Sequence, residues 1–144
     1  DRKWFVIVDE AHGPASGTVN LNYQMPMGEI VFNTGKMTAA TDFKDGSNMI
    51  MKCFAPENTE MEISDGWHSP AYRTKVERKK ISFNTTKAEG EVTRYITVIV
   101  PKDEPGDDLK ITASFISKAF SQNSLSIQVK VGKDRKQKLS YELK

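Results

Sequence analysis

The chain has 144 residues, of which 38% are hydrophobic and 28% charged, a balance that excludes an intrinsically disordered or fibrous class and suits one soluble globular domain. A net charge of +2 is too small for the whole surface to attract a polyanion, so any basic function must come from local clustering. The single cysteine, Cys53, excludes an internal disulfide framework and a thiolate metal cluster, and suits a reducing cytosol and a periplasm alike.

Period-two patterning and turn residues dominate from the start, and no long helix is expected. Asp1-Arg2-Lys3 leads at once into Trp4-Phe5-Val6-Ile7-Val8, with no initiator Met and no signal peptide, which predicts a piece of a longer chain. That run is apolar on both faces and predicts a central strand covered on each side. A turn rich in Gly and Pro, Ala11 to Gly17, joins it to an alternating strand over Gly17 to Gln24 with Val19, Leu21 and Tyr23 on one face. Further strands are predicted over 29–32, 48–55, 59–63, 78–85 and 91–100. Pro101 ends the last of these before the acidic turn Lys102-Asp103-Glu104-Pro105-Gly106-Asp107-Asp108.

Leu109 to Ser117 reads as another strand. Then Leu125, Ile127, Val129 and Val131 alternate with polar residues, as do Leu139, Tyr141 and Leu143 beyond the turn at Gly132 to Lys136. This predicts a terminal hairpin with one greasy and one wet face. Many short strands at regular spacing predict an all-β chain folded as an antiparallel β-sandwich, one domain over 1–144. No apolar run approaches the roughly 20 residues of a membrane helix, so no membrane partner is expected.

The chemistry concentrates in Trp67-His68-Ser69-Pro70-Ala71-Tyr72-Arg73, which draws one Trp, one His and one Tyr from a chain with two Trp, two His and four Tyr. It runs on into the basic segment Lys75-Val76-Glu77-Arg78-Lys79-Lys80. Aromatic faces and cationic donors together suit a sugar that bears negative charge. The bland reading for His68 is packing, and for the second basic group (Lys130, Lys133, Arg135, Lys136, Lys138) it is solubilisation of an edge hairpin. Nucleic acid is disfavoured by the low overall charge and the lack of a recognised binding pattern.

Catalysis within the chain is not expected. His12 and His68 are the two histidines, and no nucleophile elbow or metal-binding helix accompanies them. His12 sits in a Gly/Pro turn as a solvent-facing or capping residue. Cys53, beside Met49 and Met51, reads as a buried inert thiol. The acidic turn around Asp103, Glu104, Asp107 and Asp108 matches no calcium loop, so no metal site and no cofactor are expected.

Several phrases taken in order resemble the C-terminal β-domain of the heparinase II/III-like polysaccharide lyases, nearest their heparinase III branch. They are Trp4-Phe5-Val6-Ile7-Val8-Asp9-Glu10-Ala11, Gly17-Thr18-Val19-Asn20-Leu21-Asn22-Tyr23-Gln24, Asp45-Gly46-Ser47-Asn48, Gly66-Trp67-His68-Ser69 with Tyr72, and Glu77-Arg78. They cover roughly the first hundred residues; the remainder resembles the family only in its strand pattern.

The resemblance implies an enzyme built of an N-terminal α-toroid and a C-terminal β-sandwich, bacterial and periplasmic or secreted. Its implied reaction is β-elimination at a uronic acid of heparan sulfate or heparin. That chemistry needs neutralisation of the uronate carboxylate, a base for the C5 proton and an acid for the leaving oxygen. The family's catalytic Asn, Tyr and His match no position here, the His being expected in a strand ahead of Asp1, so no catalytic residue is assigned and His68 is not promoted to that role. The implied substrate contacts are Trp67, His68, Tyr72, Arg73, Lys75 and Arg78, and the implied partners are the acidic glycosaminoglycan and the toroid of the same protein. The rival from another class is an autonomous carbohydrate-binding module for acidic glycans.

Overall fold

A computed structural model describes residues 4–106 and 108–143; the Asp1-Arg2-Lys3 lead-in and Asp107 of the acidic turn lie outside the described residues. The strands are β1 (Phe5–Ala11), β2 (Gly17–Gln24), β3 (Ile30–Asn33), β4 (Thr38–Thr41), β5 (Asn48–Phe54), β6 (Thr59–His68), β7 (Val76–Lys87), β8 (Thr93–Lys102), β9 (Ile111–Phe115), β10 (Ser124–Val131) and β11 (Gln137–Glu142). Every pairing is antiparallel. Among the described residues there is no α-helix, only a single 3-10 turn over Thr34–Lys36. The all-β sandwich expected from the sequence is the observed class.

The layers number three. A five-stranded sheet in the order β1-β8-β5-β4-β3 lies between two three-stranded sheets, β2-β7-β6 and β11-β10-β9. On one face of the middle sheet, Ala40, Ile50, Ile96, Val98 and Val100 meet Ile111, Ile127, Val129 and Val131 of the β9–β11 sheet. On the other face, Ala39, Met51, Cys53 and Tyr95 meet Met61, Ile81 and Phe83 of the β6–β7 hairpin, with Met25. Strand alternation sends successive residues of β4, β5 and β8 into opposite cores. Tyr95 bridges layers polarly as well, its hydroxyl donating to Thr85 Oγ1 at 2.7 Å.

Two expectations need correction. The Trp4–Val8 run is not a central strand: among the described residues β1 is the edge of the middle sheet, paired with β8 alone. Trp4, Val6 and Val8 pack into the first core, but Phe5 and Ile7 on the other face are 59% and 38% exposed. Tyr23 of β2 meets that face at Asp9, with 3.5 Å between its hydroxyl and Asp9 Oδ2, leaving Phe5 and Ile7 uncovered. The greasy face of the final hairpin is buried on β10 but not on β11. Leu139 and Tyr141 pair with Ile127 and Leu125 as the alternation requires, yet β11 is exposed along its whole length.

Strand β4 was missed by periodicity. Its sequence Thr-Ala-Ala-Thr has no large apolar residue, but all four residues are buried. Small side chains suit a position squeezed between two cores. The chain reaches it through the 3-10 turn, where Asn33 Oδ1 accepts from the Lys36 amide at 3.0 Å and Met37 takes a left-handed φ of 53°.

Candidate functional site

The β6–β7 hairpin runs past the core it helps to form. Thr59, Met61 and Ile63 of β6 lie opposite Thr85, Phe83 and Ile81 of β7, and the pairing continues through Asp65–Lys79 and Trp67–Glu77 to His68–Val76. The predicted strand over 59–63 is therefore extended by five residues, through Ser64-Asp65-Gly66-Trp67-His68. The segment between the strands turns on itself: Ser69 Oγ donates to the Ala71 carbonyl at 3.1 Å, and the Thr74 amide donates to the same oxygen at 3.0 Å. Arg73 sits there at a φ of 61°, left-handed backbone that few non-glycine residues adopt.

Pleat alternation divides the six candidate contacts. Trp67 and Lys75 share one face, with the Lys75 ammonium 3.7 Å from the centre of the Trp67 ring. The same face carries Asp65 and Lys79, joined by a 2.5 Å ion pair. The Lys79 hydrogen bond and charge hold the Asp65 carboxyl below its ordinary range, and Asp65 in turn raises the Lys79 ammonium. Tyr72 and Arg73 sit on the connecting turn, Tyr72 being 88% exposed with the Arg73 guanidinium 5.3 Å from its ring centre. His68 and Arg78 fall on the opposite face, facing away from Trp67. The motif that is contiguous in sequence is thus two surfaces and a tip.

The face bearing His68 and Arg78 collects residues from further away. Arg78 lies opposite Gly66, and Lys80 lies opposite both Ser64 and Gln24 of β2. A Cβ at residue 66 would stand 2.8 Å from Gln24 Oε1 and 3.6 Å from Lys80 Cβ, so the absence of a side chain at Gly66 is what lets Gln24 lie there. Further along the same face, Asn84 Nδ2 donates to Glu62 Oε2 at 3.1 Å and Ser82 Oγ to Asn22 Oδ1 at 2.6 Å. Gln24 was not singled out from the sequence. It stands more than forty residues before Gly66, and the β2–β7 and β6–β7 registers together bring the two side by side.

The other histidine stacks on Phe120, ring centres 4.7 Å apart, at the exposed end of β1. Cys53 is buried, and desolvation pushes its thiol up to about 12. Neither residue joins the hairpin.

The family described as heparinase II/III-like, C-terminal, matches residues 1–135. A heparin-sulfate lyase of Bacteroides stercoris is 46% identical over 143 residues, 99% of this chain and 21% of that protein. A heparin-sulfate lyase of Bacteroides thetaiotaomicron is 34% identical over 154 residues, again 99% of this chain and 21% of the relative. Among solved structures, a heparinase III is 48% identical with a TM-score of 0.92, covering 97% of this chain and 22% of that one. The chain spans about a fifth of the length of the curated relatives it matches. It belongs to the heparinase II/III-like family, as the C-terminal part of that fold.

Proposed function

We propose that this chain is the C-terminal β-domain of a bacterial polysaccharide lyase that cleaves heparan sulfate or heparin by β-elimination at uronic acid. The observation that carries the proposal is 46% identity to a heparin-sulfate lyase across 99% of the chain. In this reading the β-domain forms one wall of the substrate cleft and holds the polymer, while proton abstraction and leaving-group protonation are performed by residues outside it. Exposed Phe5, Ile7, Leu139 and Tyr141 support a second body packed against the sandwich, namely the α-toroid of the same protein. A long sulfated polymer does not cross a bilayer, which supports a periplasmic or secreted enzyme.

The test is direct. Full-length protein incubated with heparan sulfate should generate the ultraviolet absorbance of an unsaturated uronate, and residues 1–144 alone should generate none. Activity in the isolated chain would overturn the division of labour, and inactivity of the full-length protein on heparan sulfate and heparin would overturn the substrate.

A further inference from the structure

We infer that the outward face of the β2–β7–β6 sheet, at Gln24, Gly66, His68, Arg78 and Lys80, is an anion-binding subsite for charged groups of the glycan. This deepens the proposed function, on which the identity of the polymer rests. The argument comes from how the two faces of one hairpin treat their charges.

On the Trp67 face the cations are already engaged, Lys79 with Asp65 and Lys75 with the indole. On the outward face, no ion pair to Arg78 or Lys80 is formed among the described residues. The nearest carboxylate along that face is Glu62, opposite Ser82, and it accepts from Asn84. The Arg78 Nε is buried and has no hydrogen-bond partner.

The shape fits the charge. Arg78 and Lys80 stand two residues apart on one face, roughly 7 Å along the strand. Gly66, lacking a side chain, lets the Gln24 side chain lie close over the strand beside both, which places an amide next to the two cations. Arg supplies a planar fork and Lys a point charge, and both suit a sulfate or carboxylate oxygen. His68 stands one pair further toward the tip. The ligand class is therefore a sugar-borne anion, and the outer face of a three-stranded sheet suits an extended chain lying across the strands.

The experiment measures binding of the full-length protein to immobilised heparan sulfate across a series of salt concentrations. Arg78→Gln/Lys80→Gln should weaken affinity by about a hundredfold, the lower end of the scale for two lost charge-assisted hydrogen bonds, and should flatten the salt dependence. Trp67→Ala should change affinity less than the double variant does. Arg78→Lys/Lys80→Arg, which keeps both charges, should keep the salt dependence and separates lost charge from lost folding. Desulfated and carboxyl-reduced heparan sulfate identify the anion: whichever treatment removes the difference between wild type and double variant names the group held. A double variant that binds within twofold of wild type, or a charge-keeping variant that loses the salt dependence equally, overturns the inference. The lyase reading fails separately: it falls if no unsaturated product forms, whatever the binding result.

Discussion

Lys75 caps the indole of Trp67, its ammonium 3.7 Å from the ring centre, and so occupies the aromatic platform that the sequence offered to a sugar. A sugar stacking there must first displace the ammonium, losing an exposed cation–π contact of about 0.5–1 kcal/mol. Lys75→Ala should therefore open the platform. In a Trp4→Phe background, acrylamide quenching of Trp67 fluorescence should rise in that variant, while thermal stability moves by less than about 1 kcal/mol. Unchanged quenching would show that the ammonium does not cover the ring in solution.

Arg94 ties the middle sheet to the β9–β11 sheet. Its Nε donates to Glu10 Oε1 at 2.5 Å, its Nη1 to the Ser117 carbonyl at 2.9 Å, and its guanidinium lies 3.8 Å from the Phe115 ring centre. Both side chains of the pair are 13% exposed. Removing one partner leaves a largely buried charge alone, at a cost of about 3–5 kcal/mol. Glu10→Gln and Arg94→Met should each lower stability to denaturant substantially. The double variant should lose less than the sum of the two, and strict additivity would argue that the pair is uncoupled.

Lys87 spends a charge on holding a turn. Its ammonium donates to the carbonyls of Gly13, Ala15 and Ala88 at 2.8, 2.6 and 3.2 Å, although only 6% of the residue is exposed. Lys87→Met should cost about 3 kcal/mol or more, since a single hydrogen bond with a charged donor contributes about 1.5–3 kcal/mol and this ammonium makes several. Amide hydrogen exchange should accelerate across residues 12–17 more than in β8. Uniform acceleration would mean that the clamp is not local.

Alkaline pH should destabilise the domain. Burial raises Cys53 from 9.0 to about 12, and burial likewise raises Tyr23 from 10.0 to about 12. Below pH 9 both groups are protonated whether folded or unfolded, and their contribution is fully present. As pH climbs from 9 toward 12, the unfolded chain ionises first and stability falls, by up to about 1.4 kcal/mol per pH unit per group. Cys53→Ala should be less stable at pH 7 because of its cavity, yet show a shallower decline above pH 9. An equal slope would remove the thiol as a cause. In the folded protein, thiol reagents at pH 8 should react with Cys53 only as fast as the chain opens.

Much of this fold was legible in the sequence because β-structure writes itself in period two. The alternation of Val19, Leu21 and Tyr23, and of Ile127, Val129 and Val131, placed those strands and their inward faces. β4 was illegible because Ala39 and Ala40 bury completely without being large, and periodicity counts bulk rather than fit. Trp4 to Val8 misled for the opposite reason. Phe5 and Ile7 are as apolar as a buried face would be, yet they lie exposed on an edge strand, and only the strand order tells such a strand from a central one.

The candidate site divided along similar lines. Trp67, His68, Tyr72, Arg73, Lys75 and Arg78 were recognisable as residue types, and the structure puts them all on one hairpin. Which face each occupies depends on where β6 ends. The strand was expected to stop at Ile63 and runs to His68, and that extension separates His68 from Trp67. Gln24 carried no local signal, because its place beside Gly66 is a property of pairing.

The middle sheet has no face of its own to give to solvent except at its margins. β8 sends Ile96, Val98 and Val100 into one core and Tyr95 into the other, so a single backbone supports both outer layers. Neither layer can be peeled away without exposing one side of the strand that anchors the other. A substitution that shifts β8 from the β9–β11 side is therefore felt by the hairpin on the far side, so the two surfaces of this domain share one mechanical support.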